Sequence, residues 1–215
     1  MKFAKLSVMR LFQYKDFLIR AKSIGIKNLF SDDLAEAMGT TSTQVRKDFS
    51  LFGLSGNKRA GYNIDDLLEQ LNELLGKNEK QRVVIVGAGN IGRALMKYSG
   101  FYKEGLEIVA LFDSDINNYN ASANPPVLPL ESLYEFICKY KIEIGVIAVP
   151  YHAAQQVLDI MILAGIKGVM NFAPIALKSP KDFYINDVNL KLELESVAYF
   201  VKALKMEQEE QTNDV

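Results

Sequence analysis

The sequence predicts an α/β protein in two parts, a small N-terminal winged-helix domain and a doubly wound parallel sheet, followed by a separate C-terminal helix. Three observations carry this. A glycine-punctuated turn joins an apolar run to a helical pattern in mid-chain. Two short helical patterns and a basic, glycine-rich loop precede it. Apolar residues recur at helix-seam spacing in the tail.

Residues 7–24 carry an amphipathic helical pattern through Val8, Leu11, Phe12, Phe17, Leu18 and Ile24, ending at Gly25. Ser31, before Asp32 and Asp33, predicts a capped, acidic first turn for a short helix through Leu34, Ala35 and Met38, broken by Gly39-Thr40. Thr41 and Gln44 have capping-box spacing, which predicts a second helix over 42–52. Two short helices across a tight glycine turn read as a helix-turn-helix. On the second, Val45, Phe49 and Phe52 are expected to face inward, and Thr43, Arg46, Lys47 and Ser50 to form a polar, mostly basic stripe. Such a stripe suits the DNA major groove, where Arg and Lys donate to guanine edges or phosphates. It also describes an ordinary solvated helix face.

The loop 53–62, with Lys58 and Arg59 leading to Gly61 and Tyr62, tips the balance. It predicts a wing, a hairpin whose tip carries cations to the DNA, and favours DNA over a protein-binding winged helix. A helix over 65–75 closes the domain. The polar stretch 76–81 separates two differently charged parts: residues 1–80 hold 13 basic and 10 acidic residues, residues 81–215 hold 12 and 16. The positive balance is local, which predicts a moderate salt dependence of DNA binding. Expected domains are 1–78 for DNA binding, 79–189 for the sheet, 190–206 for dimerisation and 207–215 as a frayed tail.

Val83 to Val86 reads as a buried strand, and Gly87-Ala88-Gly89-Asn90-Ile91-Gly92 follows as G-x-G-x-x-G into a helix running to about Tyr98. Gly87 permits the tight turn, Gly89 lets a pyrophosphate approach the backbone, and Gly92 lets the helix lie close on the strand. Free amides and the helix dipole at that N-terminus favour a diphosphate. The alternative is a bare strand-to-helix turn. Asp113, 21 residues beyond Gly92 at the end of the strand 106–113, can accept from an adenosine ribose hydroxyl and favours NAD over NADP. Capping the next turn is its competing role, and Asp115 its competitor.

Residues 114–130 read as loop. A helix over 132–140, a strand 142–149 stopped by Pro150, a helix 152–164 and a strand 168–173 stopped by Pro174 continue the alternation that means a parallel sheet. Ligands sit beyond the carboxyl ends of such strands, which places Val149, Pro150, Asn171, Phe172 and Ala173 beside the glycine loop. Apolar residues at 190, 194, 197, 201 and 204 describe a helix seam for its own sheet or a partner subunit.

A 49% apolar share is ordinary for a chain with a real core. The single cysteine, Cys138, excludes an internal disulfide, fits a reducing cytosol and is expected in core packing. No signal peptide or membrane span is legible, and the expected location is the cytoplasm. An oxidoreductase needs a proton-exchanging group beside the nicotinamide. His152, Lys178 and Tyr151 are the candidates, without a partner that the sequence can name, so no catalytic residue and no metal site is assigned.

Arg10-Leu11 with Tyr14, the run Gln44 to Ser50 with Phe52-Gly53, Gly61-Tyr62, the Gly87–Gly92 loop, Tyr98, Val149-Pro150, Gly165 to Gly168 and Asn171 to Pro174 together resemble the Rex family of redox-sensing transcriptional repressors. The resemblance covers nearly the whole chain. It implies a winged helix, a Rossmann domain and a domain-swapped C-terminal helix in a homodimer that reads palindromic operator DNA. It also implies release by NADH, competition by NAD+, and no enzymatic activity. It adds Arg10, Gln44, Gly61 and Tyr62 to the DNA contacts, and Tyr98 and Leu190 to the cofactor contacts. Three departures stand out. Asp16 replaces a usual arginine, Asn189-Leu190 a usual aspartate and phenylalanine, and Arg59 a wing glycine. The family's Arg–Asp link between DNA-binding domain and cofactor site is therefore absent in that form. The alternatives are a DNA-binding paralogue with an altered NADH response and an NAD-dependent oxidoreductase.

Overall fold

A computed structural model describes residues 4–56, 61–76 and 80–213, and the chain forms two compact units, 1–79 and 80–215. The first contains α1 (Lys5–Ser23), β1 (Asn28–Leu29), α2 (Ser31–Met38), α3 (Ser42–Phe52), β2 (Tyr62–Asn63) and α4 (Ile64–Leu74). On α1 the inward face is Leu11, Tyr14, Leu18 and Ala21, at helical spacing. Phe12 and Ile24, expected inside, are 36% and 76% exposed. Tyr14 takes the central place, its ring edge-on to Phe49 at 5.5 Å. Val45 and Phe49 of α3 meet Leu34 of α2 and Ile64, Leu67 and Leu71 of α4 in one core. Phe52 is only partly buried against it.

One local detail differs from the sequence reading and one adds to it. The N-cap of α2 is Phe30 rather than Ser31, because the Asp33 carboxylate reaches back to accept from the Phe30 amide at 2.6 Å. β2 pairs antiparallel with β1, Asn28 opposite Asn63 and Leu29 opposite Tyr62, which joins the end of the loop 53–62 to the segment before α2. The wing tip, with Lys58 and Arg59, lies outside the described residues.

The second unit contains β3 (Gln81–Val86), α5 (Asn90–Lys97), α6 (Ser99–Lys103), β4 (Leu106–Asp113), β5 (Val127–Pro129), α7 (Leu133–Tyr140), β6 (Ile144–Ile147), α8 (Tyr151–Ala164), β7 (Gly168–Asn171), β8 (Tyr184–Asp187) and α9 (Leu190–Asn213). Its six strands are parallel in the order β5-β4-β3-β6-β7-β8. The order reverses between β3 and β6, the crevice where doubly wound sheets bind ligands. β3 is buried on both faces, which is why it reads as a continuous apolar run. Val84 and Val86 face α7 and α8, and Val83 and Ile85 face Leu95 and Met96 of α5.

β5 and β8 were not legible. Three residues after two prolines, and four of mixed polarity, are too short to show a period. Cys138 is exposed rather than in the core. α9 continues as helix to Asn213, through most of the stretch expected to fray. Its seam is uncovered, from Val201 at 47% to Leu194 at 71% exposed. Among the described residues no helix is long and apolar enough to cross a membrane.

Candidate functional site

The α3 face is built around a buried carboxylate. Thr41 caps the helix by accepting from the Gln44 amide at 3.2 Å. The Gln44 side chain does not complete the capping box. Its Nε2 donates instead to Asp48 Oδ1 at 2.9 Å, one turn on. Arg10 of α1 donates to both Asp48 oxygens, Nε to Oδ2 and Nη2 to Oδ1, each at 2.6 Å. The Tyr14 hydroxyl donates to Oδ2 at 2.9 Å. Asp48 is 2% exposed, and a charge so buried is tolerable only because donors surround it.

Burial pushes the Asp48 carboxyl up, but the hydrogen bonds from Arg10, Tyr14 and Gln44 outweigh it and hold it below the usual carboxylate range. The Asp48 hydrogen bond, against the lesser opposing effect of burial, raises Arg10. Burial, reinforced by Asp48, pushes Tyr14 up to about 12. Asp48 thus stabilises the domain above the ordinary carboxylate pKa, and this is lost as pH falls through its depressed value. Tyr14 works in the opposite sense. The fold keeps a proton that the unfolded chain releases near 10.0, so stability falls as pH rises from there toward about 12. Tyr14→Phe is expected to cost about 1.5–3 kcal/mol at neutral pH, one hydrogen bond to a charge, and to flatten the alkaline decline. Urea unfolding from pH 7 upward measures both.

Thr43, Arg46, Lys47 and Ser50 are all exposed along α3, as the stripe requires. Arg46 leans toward α2, its Nη1 donating to Ser31 Oγ at 2.8 Å and Nη2 to Ser42 Oγ at 3.2 Å. Three other expected contacts are engaged within the fold. Arg10 is committed to Asp48 and anchors α3 to α1. Gly61 is buried under β1, where a Cβ would meet Leu29 O at 2.5 Å. Tyr62 is half-buried, edge-on to Phe49 at 4.9 Å.

In the second unit the three motif glycines answer three constraints. Gly87 has φ +103°, and a Cβ there would meet Ala148 O at 2.3 Å on β6's exit. At Gly92 a Cβ would lie 1.9 Å from Gly87 O, so α5 could not start where it does. Gly89 has nothing within 4 Å of a Cβ position and faces open space. Packing accounts for the first two, whereas nothing within the chain crowds Gly89. Gly87 and Gly89 line a cleft of about 240 Å³ with Val86, Asp113, Ser114, Asn118, Leu130, Ala148, Val149, Pro150, His152, Ala153 and Val157. It opens beyond the carboxyl ends of β3, β4 and β6.

Asp113 is tied to the loop. Its Oδ2 accepts from the Ala88 amide at 2.6 Å and its Oδ1 from the Asp115 amide at 2.8 Å. The turn-capping role is therefore real, and a carboxylate with about four acceptor sites still has capacity for a ribose hydroxyl. Arg93, which no motif marks, donates from Nε to Ala88 O at 2.6 Å and from Nη2 to Asn118 Oδ1 at 2.8 Å. The N–H and the C=O of Ala88 are thus both held. Asn90 and Ile91 begin α5 and Ile91 is 38% exposed.

Of the expected cofactor residues, Ala88, Asn90, Ile91 and Gly92 of the loop and Tyr98, Asn171, Phe172 and Leu190 outside it are not among those that line this cleft. Asn171 is fully buried, its Nδ2 donating to Ala173 O, Ile175 O and Asp187 Oδ1 and its Oδ1 accepting from the Ala173 amide. These bonds lock the exit of β7. Phe172 packs partly buried against the β3 core face. Tyr98, 61% exposed, stacks edge-on to Phe101 at 5.1 Å, and Leu190 is 57% exposed at the start of α9. His152, already a candidate in the sequence, lines the cleft, and so does Asn118, which no motif marks and only the fold brings in.

A CoA binding domain family model matches residues 78–175, and a model for the N-terminus of a putative DNA-binding protein matches residues 3–50. The chain is 40% identical over 200 residues to the redox-sensing transcriptional repressor Rex of Desulforamulus reducens, spanning 93% of this chain and 95% of that one. The chain belongs to the Rex family. The Rex proteins of Pelotomaculum thermopropionicum and Carboxydothermus hydrogenoformans are 39% and 38% identical over 93% and 94% of this chain, which spans 94% and 97% of their lengths. The Rex-family repressor RSP, 31% identical, superposes with a TM-score of 0.90 in its crystal structure with β-NAD+ and operator DNA, over 97% of both chains. With β-NADH the TM-score is 0.85, over 96% of this chain and 98% of that one.

Proposed function

We propose that this Rex-family chain is a cytoplasmic transcriptional repressor that binds palindromic operator DNA as a homodimer and is released from it by NADH, with NAD+ competing. The observation that carries this reading is the pairing, in one chain, of an exposed basic α3 with a glycine-loop cleft, over the full length of a repressor crystallised with operator DNA, NAD+ and NADH. Thr43, Arg46, Lys47 and Ser50 meet the DNA, and Lys58 and Arg59 of the wing add cations.

The cleft fits a dinucleotide at three points. Gly89 leaves room for a diphosphate at the N-terminus of α5, whose first amides, from Asn90 and Ile91, have no partner within the helix. Asp113 stands at the ribose position, and Val149 and Pro150 supply an apolar wall. The two forms of the cofactor differ by the positive charge of oxidised nicotinamide, and such a difference can bias one arrangement of the protein over another. The chemistry is binding rather than catalysis. Coupling of about 2 kcal/mol would make NADH weaken operator affinity roughly 30-fold. Anisotropy titration of a labelled operator with and without NADH measures it, and equal affinities would leave a repressor without the redox response.

The homodimer reading rests on two uncovered apolar surfaces. α5 and α6 cover only part of their sheet face, leaving Ile144 and Met170 partly exposed in an apolar depression. α9 exposes Leu190, Leu194, Val197, Val201 and Leu204. A partner's α9 would bury both. Leu194→Asp with Val201→Asp is expected to reduce the mass in solution from twice 24.1 kDa to 24.1 kDa, read by light scattering.

A further inference from the structure

The Asp48 cluster does more than hold two helices together. A carboxylate can only accept, and Asp48 is held ionised, so the amide of Gln44 has one permitted orientation: Nε2 toward Asp48, Oε1 away from it. Gln44 sits in the first turn of α3, where recognition helices reach base edges, one turn before Asp48 and beside exposed Lys47. The Asp48 bond uses one Nε2 hydrogen. What remains is a fixed pair, Oε1 as acceptor and the second N–H as donor. That pair matches the major-groove edge of adenine, whose N6 donates and whose N7 accepts, and mismatches guanine, which offers two acceptors. An amide free to flip would lose much of this preference, because an inverted glutamine exchanges its donor and acceptor.

We propose that Gln44 reads an adenine in each operator half-site and that Asp48, which Arg10 and Tyr14 hold in place, is the positioning residue that sets its orientation. This deepens the repressor reading and rests on it. Arg10 thereby acts on the DNA through Asp48.

The test uses the full chain. An operator is first selected from a random duplex library, and each adenine of a half-site is then replaced in turn by 7-deazaadenine, which pairs normally but lacks N7. At one adenine per half-site the replacement is expected to weaken wild-type binding roughly tenfold, the discrimination of one bidentate pair. It is expected to have no effect on Gln44→Ala. Asp48→Asn, close in size and able to donate to Oε1, is expected to lose preference at that same position, with affinity for the selected operator falling several-fold more than affinity for unselected DNA. A merely structural role for Asp48 would lower both affinities together. The inference is overturned if Gln44→Ala selects the same consensus with the same preferences, or if the 7-deazaadenine penalty persists in it. Failure of the wild-type chain to select any sequence would overturn the repressor reading, and this inference with it.

Discussion

Arg46→Ala with Lys47→Ala is expected to weaken operator binding by about 100-fold or more, two groove or phosphate interactions at about 1–3 kcal/mol each, and to leave NADH affinity unchanged. The two side chains are not equivalent. Arg46 already donates to Ser31 and Ser42, so its removal also loosens α3 from α2, whereas Lys47 is exposed on the helix face. The single variants separate phosphate binding from base reading. If a side chain binds phosphate, its truncation lowers affinity evenly across sequences and reduces the salt slope by about one. If it reads a base, truncation relaxes specificity at one position and leaves the slope nearly intact. A double variant that kept operator affinity but no longer bound NADH would mean that the stripe is not the reading face.

The second large effect distinguishes glycines that share one motif. Gly92→Ala places a methyl group 1.9 Å from the Gly87 carbonyl oxygen, a backbone atom that cannot move without displacing α5 or the turn. Overpacking of this kind is expected to cost about 3 kcal/mol, a Tm drop of several degrees in calorimetry, with loss of NADH binding as the loop shifts. Gly89→Ala has a clear space and a negative φ of −75°, so the Tm is expected to hold. NADH affinity is nevertheless expected to fall about tenfold or more, since the methyl group stands between a diphosphate and the loop amides, whose hydrogen bonds to a charge contribute about 1.5–3 kcal/mol each. A Gly89→Ala variant with wild-type NADH affinity would place the diphosphate elsewhere.

Much of the architecture was legible because its determinants are local. The bounds of α3 and β4 follow from a cap at Thr41 and from an apolar run ending at Asp113, both written in neighbouring residues. The glycine loop belongs to the same class, since a tight turn and a close helix leave few choices of residue. β5 and β8 were illegible because an edge strand of three or four residues draws its order from the ladder beside it, not from its own periodicity.

The site divides along the same line. Which residues lie near the cleft could be read in part from strand ends, but a strand end has an inside and an outside. Val149 and Pro150 face the cleft, whereas Asn171 at the end of β7 turns inward and closes a backbone network with Ala173 and Asp187. A polar residue beside a pocket in sequence is as ready to cap its own sheet as to meet a ligand, and only the neighbours decide. Arg93 and Asn118 were missed because what joins them is a hydrogen bond across 25 residues of chain.

By itself, the sequence determined the two-part α/β architecture, the glycine loop, the basic face of α3 and the apolar seam of α9. Each depends on steric rules or periodicities that act within a few residues. The tertiary structure alone decided that Asp48, an aspartate that no pattern marks in a basic helix, is buried under Arg10, Tyr14 and Gln44. The physical reason is desolvation. A charge removed from water must find its donors wherever the fold brings them, here from a helix 34 and 38 residues earlier in the chain.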